Sequence, residues 1–335
     1  MRQIVAVVAG VALAMAALGG AFATGFGLGA VVGAAGGGPG AVAGGLLPGG
    51  PERVLGGAGP DKIAVIRVVG PITREGFSGL PLGSAGAASR RIAALLERAR
   101  RDAAVKAVIV ELNTPGGSVV ASDEITRGLQ ALRRARKVVV ALMTEVAASG
   151  GYYVASGADH IVADPTTITG SIGVIVTLTN IQELSRKIGW RTIVFKSGAF
   201  KDLGNPTRPV TPQEAAILQG FVDEAYGRFV DVVAQGRRMD RARVRALADG
   251  RIYSGAQAHR LGLVDSLGGF TEAVDVARRR AGLADPLIVE YGGEGLLWTL
   301  LGSGGRRVRL WLGGPPLDEL TAPQQPIAVQ YLMAF

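Results

Sequence analysis

Four stretches of this chain, Lys62–Val69, 107–110, 138–140 and His160–Ala163, are aliphatic and β-branched without strict apolar–polar alternation. A strand that alternates shows one face to water; a strand that does not is covered on both. Between these runs the apolar residues recur at helical spacing, first at Ile92, Leu95, Leu96, Ala99 and Ala103, then at Ile125, Leu129 and Leu132. A further strand is expected at 192–195. A long helix is expected from Thr211-Pro212-Gln213-Glu214, where Thr can cap, Pro fits the first turn and Glu can reach back to the cap amide. Its apolar positions continue through Ile217, Phe221, Val222, Ala225, Phe229 and Val232. The sequence therefore predicts an α/β fold, a sheet with helices on both faces, spanning residues 61–292.

What precedes this domain is of another kind. Residues 3–51 carry no charged side chain, and within 4–32 Thr24 is the one conventional polar interruption. About 20 apolar residues at about 1.5 Å rise cross the hydrocarbon core of a bilayer. Residues 1–32 read as a membrane anchor, with Arg2 and the amino terminus on the cytoplasmic side. The alternative is a cleaved signal peptide, since Ala21-Phe22-Ala23 resembles a processing site. Either reading exports the rest of the chain. Residues 33–60, rich in Gly, Ala and Pro, read as a tether. Residues 293–335 form a tail that mixes apolar residues with Arg306, Arg307 and Arg309 and ends on an uncharged apolar run.

Composition narrows the chemistry. The chain has no Cys and only 2 His, which excludes thiol nucleophiles, thiolate zinc sites and disulfides and leaves few candidates for a Ser-His-Asp triad. A net charge of +9 could suit nucleic acid, but aromatic residues make up only 5% and no basic–aromatic patch is present. A nucleic-acid partner is disfavoured.

Three segments could carry chemistry. In Ala147-Ala148-Ser149-Gly150-Gly151-Tyr152-Tyr153, small neighbours leave a serine hydroxyl open to an incoming carbonyl at the start of a short helix; the plain alternative is a serine that caps that helix. Asn113-Thr114-Pro115-Gly116-Gly117-Ser118 follows a buried strand, and its glycines allow a backbone that aims N–H groups into a cavity, or an ordinary turn. Lys196-Ser197-Gly198-Ala199-Phe200-Lys201-Asp202 offers two lysines. A serine needs a base, and with His so scarce a lysine in a dry site is the economical one. The residues alone leave Lys196 and Lys201 both open, and a solvated surface lysine is the plain alternative for each. His160 and His259 read as structural, and Tyr152 and Tyr153 as packing behind the serine.

Together with Thr169-Gly170-Ser171-Ile172-Gly173-Val174 and Ala248-Asp249-Gly250-Arg251-Ile252-Tyr253, these segments resemble the signal peptide peptidase A family in its short, single-copy form. These are Ser/Lys proteases of the ClpP/crotonase superfamily, and the likeness runs from about Lys62 to Phe270. The resemblance implies stacked ββα units, Ser149 as nucleophile, Lys201 rather than Lys196 as general base, and Ser171 as the serine that orients the base. It places the oxyanion hole on the amides of Gly116 or Gly117 and Gly150. It implies no cofactor and no metal. It also implies a homo-oligomeric ring at the inner membrane, catalytic domain outside, with Ser149 and Lys201 drawn from adjacent subunits. The implied substrates are apolar peptides such as remnant signal peptides. Rival readings are a Ser/Lys membrane-protein peptidase of the stomatin-associated type, a crotonase-like acyl-CoA enzyme and a non-catalytic ring scaffold.

Overall fold

The computed structural model describes residues 52–80, 83–292 and 330–332. The anchor read over residues 1–32 lies outside them, as do most of the 33–60 tether and of the 293–335 tail. Among the described residues no helix is long and apolar enough to cross a membrane.

The chain opens with strands β1 (Arg53–Gly56) and β2 (Lys62–Val69), then the short strands β3 (Ile72–Thr73), β4 (Phe77–Leu80), β5 (Gly83–Ala85) and β6 (Ala87–Ala88). Helix α1 (Ser89–Arg101) leads to β7 (Val105–Thr114), β8 (Gly116–Ser118) and α2 (Val119–Arg134). Strand β9 (Val138–Ala148) runs into α3 (Gly150–Ala155), followed by β10 (His160–Ala163), β11 (Ile168–Gly170) and α4 (Gln182–Lys187). After α5 (Pro212–Arg237) and α6 (Arg241–Leu247) come β12 (Ile252–Ser254), α7 (Gly255–Leu261) and β13 (Ser266–Leu267). Helix α8 (Phe270–Ala281), β14 (Leu287–Tyr291) and β15 (Gln330–Leu332) complete the order.

The main sheet has the order β1-β14-β2-β7-β9-β10-β13, with β11 branching from β9 and β12 pairing β11. From β14 to β13 every neighbouring pair is parallel. Both faces are covered, as the unbroken apolar runs predict. On β2, Ala64, Ile66 and Val68 enter the core layer shared with Ile92, Leu96, Ile125 and Leu129. Ile63 and Val65 point the other way, onto Ala273, Val276 and Ala277 of α8. The same division recurs on β7, where Val108 and Val110 face one layer and Ala107 and Ile109 the other. Strict two-residue periodicity thus holds in space although both faces are apolar in sequence.

Two stretches differ from the sequence reading. Arg53–Gly56, inside the span read as tether, is already a strand: it pairs antiparallel with β14, and Arg53 forms an ion pair with Glu290. Residues 192–195 form no strand. Among the described residues they have no sheet neighbour, and Ile193 and Phe195 stand 78% and 95% exposed. A β-branched run without a partner for its backbone has nothing to make it a strand. The first half of α5 shares this exposure, with Phe221 57% exposed, whereas Phe229, Val230 and Val233 in its second half are fully buried.

The start of α5 follows its sequence closely. Thr211 Oγ1 accepts from the Glu214 amide at 3.3 Å, and Glu214 Oε2 accepts from the Thr211 amide at 2.9 Å. Glu214 is buried and also bonds Arg208 at 2.5 and 2.8 Å. The Arg208 guanidinium, helped by the Thr211 amide, holds the Glu214 carboxyl down to about 2, from an ordinary 4.5. A carboxylate depressed in the folded state stabilises it above the unfolded value and loses that effect as pH falls through the folded one. Wild type is therefore expected to lose its thermal-stability advantage over Glu214→Gln between about pH 4.5 and about pH 2. Melting curves of the two that stay parallel throughout that window would count against this cluster as an acid-sensitive clasp.

Candidate active site

Strand β9 ends at Ala148, helix α3 begins at Gly150, and Ser149 occupies the corner between them with φ 53° and ψ −116°. A non-glycine residue with positive φ costs on the order of 1–3 kcal/mol and persists only where its surroundings impose it. Here the imposition is visible. The Ser149 amide donates to Gly170 O at 2.8 Å, and Tyr153 N donates to Ser149 O at 2.9 Å. The two tyrosines behind it are fully buried. Tyr152 Oη donates to Leu263 O at 2.9 Å, and Tyr153 Oη donates to Asp123 at 2.7 Å while its ring meets Phe229 edge-on. Burial pushes both phenols well above their usual range, so they act as fixed donors.

The Ser149 side chain does not cap α3. Its hydroxyl is 1% exposed as a residue and Oγ has no hydrogen-bond partner among the described residues. A buried hydroxyl left unpaired costs about 1–3 kcal/mol. The capping alternative open in the sequence is thereby set aside: this serine is held with its oxygen uncommitted.

The glycine segment lies against the helix start. Strand β8 pairs parallel with β3 through Ile72 and Gly117. A Cβ on Gly117, whose φ is +152°, would stand 2.1 Å from Ile72 O, so only glycine fits. A Cβ on Gly150 would stand 2.6 Å from Ser122 Oγ and 3.2 Å from both Gly116 Cα and Gly117 N. The backbones of 116–117 and 150 are thus in close contact. The Gly116 amide is committed to Thr114 Oγ1 at 3.1 Å, and Gly117 is paired through β8 with Ile72 on one edge and Tyr331 on the other.

Ser171 is brought to the same place. Strand β11 lies parallel to β9 with Gly170 opposite Ala148, so Ser149 and Ser171 follow neighbouring strand ends. Ser171 also has positive φ, at 50°, is buried, and donates its amide to Arg251 O at 2.8 Å.

Lys201 is not brought there within one chain. It is exposed, in the same projecting stretch as Phe195, and no hydrogen bond joins it to Ser149 or Ser171 among the described residues. Lys196 is engaged elsewhere: its Nζ donates to Ala199 O at 2.9 Å and to Asp202 Oδ1 at 2.7 Å. Asp202 is held by Arg208 and Lys196, which keep its carboxyl far below the usual range. His160 bonds Ser266 and Arg280, and stands opposite Val140 on β9, about 30 Å along the strand from Ser149. It cannot serve the serine. Two residues that sequence reasoning missed belong to the site's frame: Thr114, which holds Gly116, and Ser122, whose buried Oγ has no partner among the described residues. Nothing in a single sequence marks either.

The profile of peptidase family S49 matches residues 131–284, which contain Ser149, Ser171 and Lys201. The "Putative signal peptide peptidase SppA" of Enterococcus faecium is 39% identical over 240 residues, covering 72% of this chain and 70% of that protein. "Serine protease SPPA, chloroplastic" of Arabidopsis thaliana and "Protease 4" of Haemophilus influenzae are 36% and 37% identical over 228 and 226 residues. The chain spans about a third of the length of these two (33% and 35%). An uncommitted serine hydroxyl at a strained strand-to-helix corner, set beside a glycine-lined backbone, and a relative matched over most of both chains lead to one conclusion: the chain belongs to peptidase family S49, the signal peptide peptidase A family, and is a serine peptidase.

Proposed function

We propose that Ser149 Oγ attacks the peptide carbonyl, that Lys201 is the general base, and that Ser171 positions the lysine amine. The observation that carries this reading is the Ser149 hydroxyl itself, buried, unpaired and held at positive φ. In the proposed cycle Lys201 takes the Ser149 proton as the Oγ–carbon bond forms. The negative charge that develops on the carbonyl oxygen meets the amides of Gly150 and Gly117, with Gly116 as the alternative donor. The lysine then passes its proton to the leaving amine, and water deprotonated by the same lysine cleaves the acyl-enzyme.

The lysine would come from a neighbouring copy in a homo-oligomeric ring. The exposure of Lys201 supports this, as do Ile193, Phe195 and Phe221, large apolar side chains left uncovered. The substrate class proposed is extended apolar peptides, remnant signal peptides among them, and the name of the Enterococcus faecium relative points the same way. Residues 1–32 would hold the enzyme in the inner membrane, with the domain on the outer side.

A serine-directed fluorophosphonate is expected to label wild type at Ser149 and to leave Ser149→Ala unlabelled. Hydrolysis of a short apolar peptide should fall at least about 10³-fold in Ser149→Ala and in Lys201→Ala, while Lys196→Ala keeps most of it. Hydrolysis by Ser149→Ala at the wild-type rate would overturn the assignment.

A further inference from the structure

Lys201 stands on a stretch with no element of its own to hold it. Residues 190–201 belong to neither strand nor helix, and all are exposed. The Lys201 amine forms no hydrogen bond among the described residues. A catalytic group has to be held within about 0.5 Å of its productive position. Something must therefore fix the turn that carries this lysine.

Arg208 is placed to do so, because its guanidinium lies between two carboxylates. Toward Asp202, Nε donates to Oδ2 at 3.0 Å, and Nη2 donates to Oδ1 at 3.0 Å and to the main-chain O at 3.1 Å. Toward Glu214, Nη1 donates to Oε2 at 2.8 Å and Nη2 to Oε1 at 2.5 Å. Glu214 is buried and is itself tied to Thr211 by the capping box that opens α5. Asp202 is the neighbour of Lys201 in the chain. Its main-chain O also accepts from the Asn205 amide at 3.0 Å, and the Lys201 amide donates to Gly198 O at 3.2 Å. The lysine turn thus closes on itself and is moored through one side chain to the first turn of a long helix.

A planar fork can bond a carboxylate along each of two edges; an ammonium is a point charge and cannot. Lys196 touches the same Asp202 at one oxygen, at 2.7 Å, so its loss leaves the fork in place. The mooring has an electrical side as well. A carboxylate beside a lysine favours the ammonium, the wrong form for a base. Arg208, and then Lys196, set their own charge against Asp202 and hold its carboxyl far below the usual range.

We propose that Arg208 is a positioning residue for the general base: it ties the Lys201 turn to the start of α5 and so fixes where the amine is presented. The proposal rests on the reading of Lys201 as base and adds what holds that base in place.

Arg208→Gln is expected to keep the KM for a short apolar peptide and to lose about 10²-fold in kcat. Arg208→Lys, which keeps the charge but not the second edge, should recover only part of that loss. Asp202→Ala, which leaves the pair of Arg208 and Glu214 intact, should show the same split and serves where Arg208→Gln does not fold. Mixed assemblies separate positioning from general support. Ser149→Ala/Arg208→Gln reassembled with Lys201→Ala builds every complete site on a lysine whose own chain lacks Arg208. It should stay about 10²-fold below the mixture of Ser149→Ala and Lys201→Ala. Ser149→Ala reassembled with Lys201→Ala/Arg208→Gln builds every complete site on a lysine whose own chain keeps Arg208, and should match that mixture. Equal activity in the two Arg208 mixtures, or an unchanged kcat in Arg208→Gln and Asp202→Ala, would overturn the proposal. No recovery in the mixture that keeps every Arg208 would instead strike the sharing of Ser149 and Lys201 between copies, and the kcat–KM split of the single variants then decides the role of Arg208.

Discussion

Exchanging Gly150 for alanine is expected to cut peptide turnover by about 10²–10³-fold while the chain stays folded. Alanine is the best of helix formers, so α3 loses nothing in propensity. The difficulty is room. The new Cβ would stand 2.6 Å from Ser122 Oγ and 3.2 Å from Gly116 Cα and Gly117 N, so the helix start must back away from β8. If the amides of 117 and 150 form the proposed oxyanion site, that shift opens it while the hydroxyl remains. The nearest obstacle is a single side-chain atom, and this gives the prediction a control. In Ser122→Ala/Gly150→Ala the remaining contacts are tight but tolerable, and turnover is expected to recover at least about tenfold over the single variant. Steady-state kinetics alongside melting curves would check both. Full activity in Gly150→Ala would show that closeness of the two backbones is irrelevant to the chemistry.

Mixing two dead enzymes is expected to revive one. If Ser149 of one copy works with Lys201 of the next, Ser149→Ala and Lys201→Ala are each inactive alone. Assembled together at equal amounts they should form intact sites wherever a serine-bearing copy meets a lysine-bearing one, about a quarter of all sites in a random ring. The recovered kcat should follow that fraction with KM unchanged. The single chain motivates the experiment: among the described residues Ser149 Oγ has no hydrogen-bond partner, and Lys201 stands exposed, bonded to neither serine. No recovery after the two variants are unfolded and reassembled together would place serine and base in the same copy, or deny the lysine its role.

The central sheet was legible because its strands are long and apolar on both faces; periodicity and composition agree there, and Lys62–Val69 and His160–Ala163 fall where the sequence puts them. The capping box at Thr211 was equally plain, being a purely local device. What escaped depends on partners far away in the chain. Arg53–Gly56 looks like the end of a glycine-rich span because its pairing partner lies more than two hundred residues later. The small sheet of β15, β8, β3 and β6 is made of strands two or three residues long, too short to carry any pattern. Residues 192–195 mislead in the opposite sense, since a β-branched run announces a strand but cannot announce a neighbour. At the site, the serine and the glycines drew notice by their small-residue surroundings, while Ser171 came only through the family resemblance. Thr114 and Ser122 were not, because a hydroxyl that holds a backbone or crowds a glycine looks like any other in sequence.

The left-handed corner at Ser149 has a consequence for how such an enzyme can be made hardier. Glycine would sit at φ 53° and ψ −116° with less strain, so the chain would gain heat resistance from the very exchange that removes the oxygen of the proposed nucleophile. Selection for survival at high temperature alone, without a demand for turnover, would drift toward an inert scaffold at this position. Resistance compatible with activity has to be sought elsewhere, away from the junction of β9 and α3.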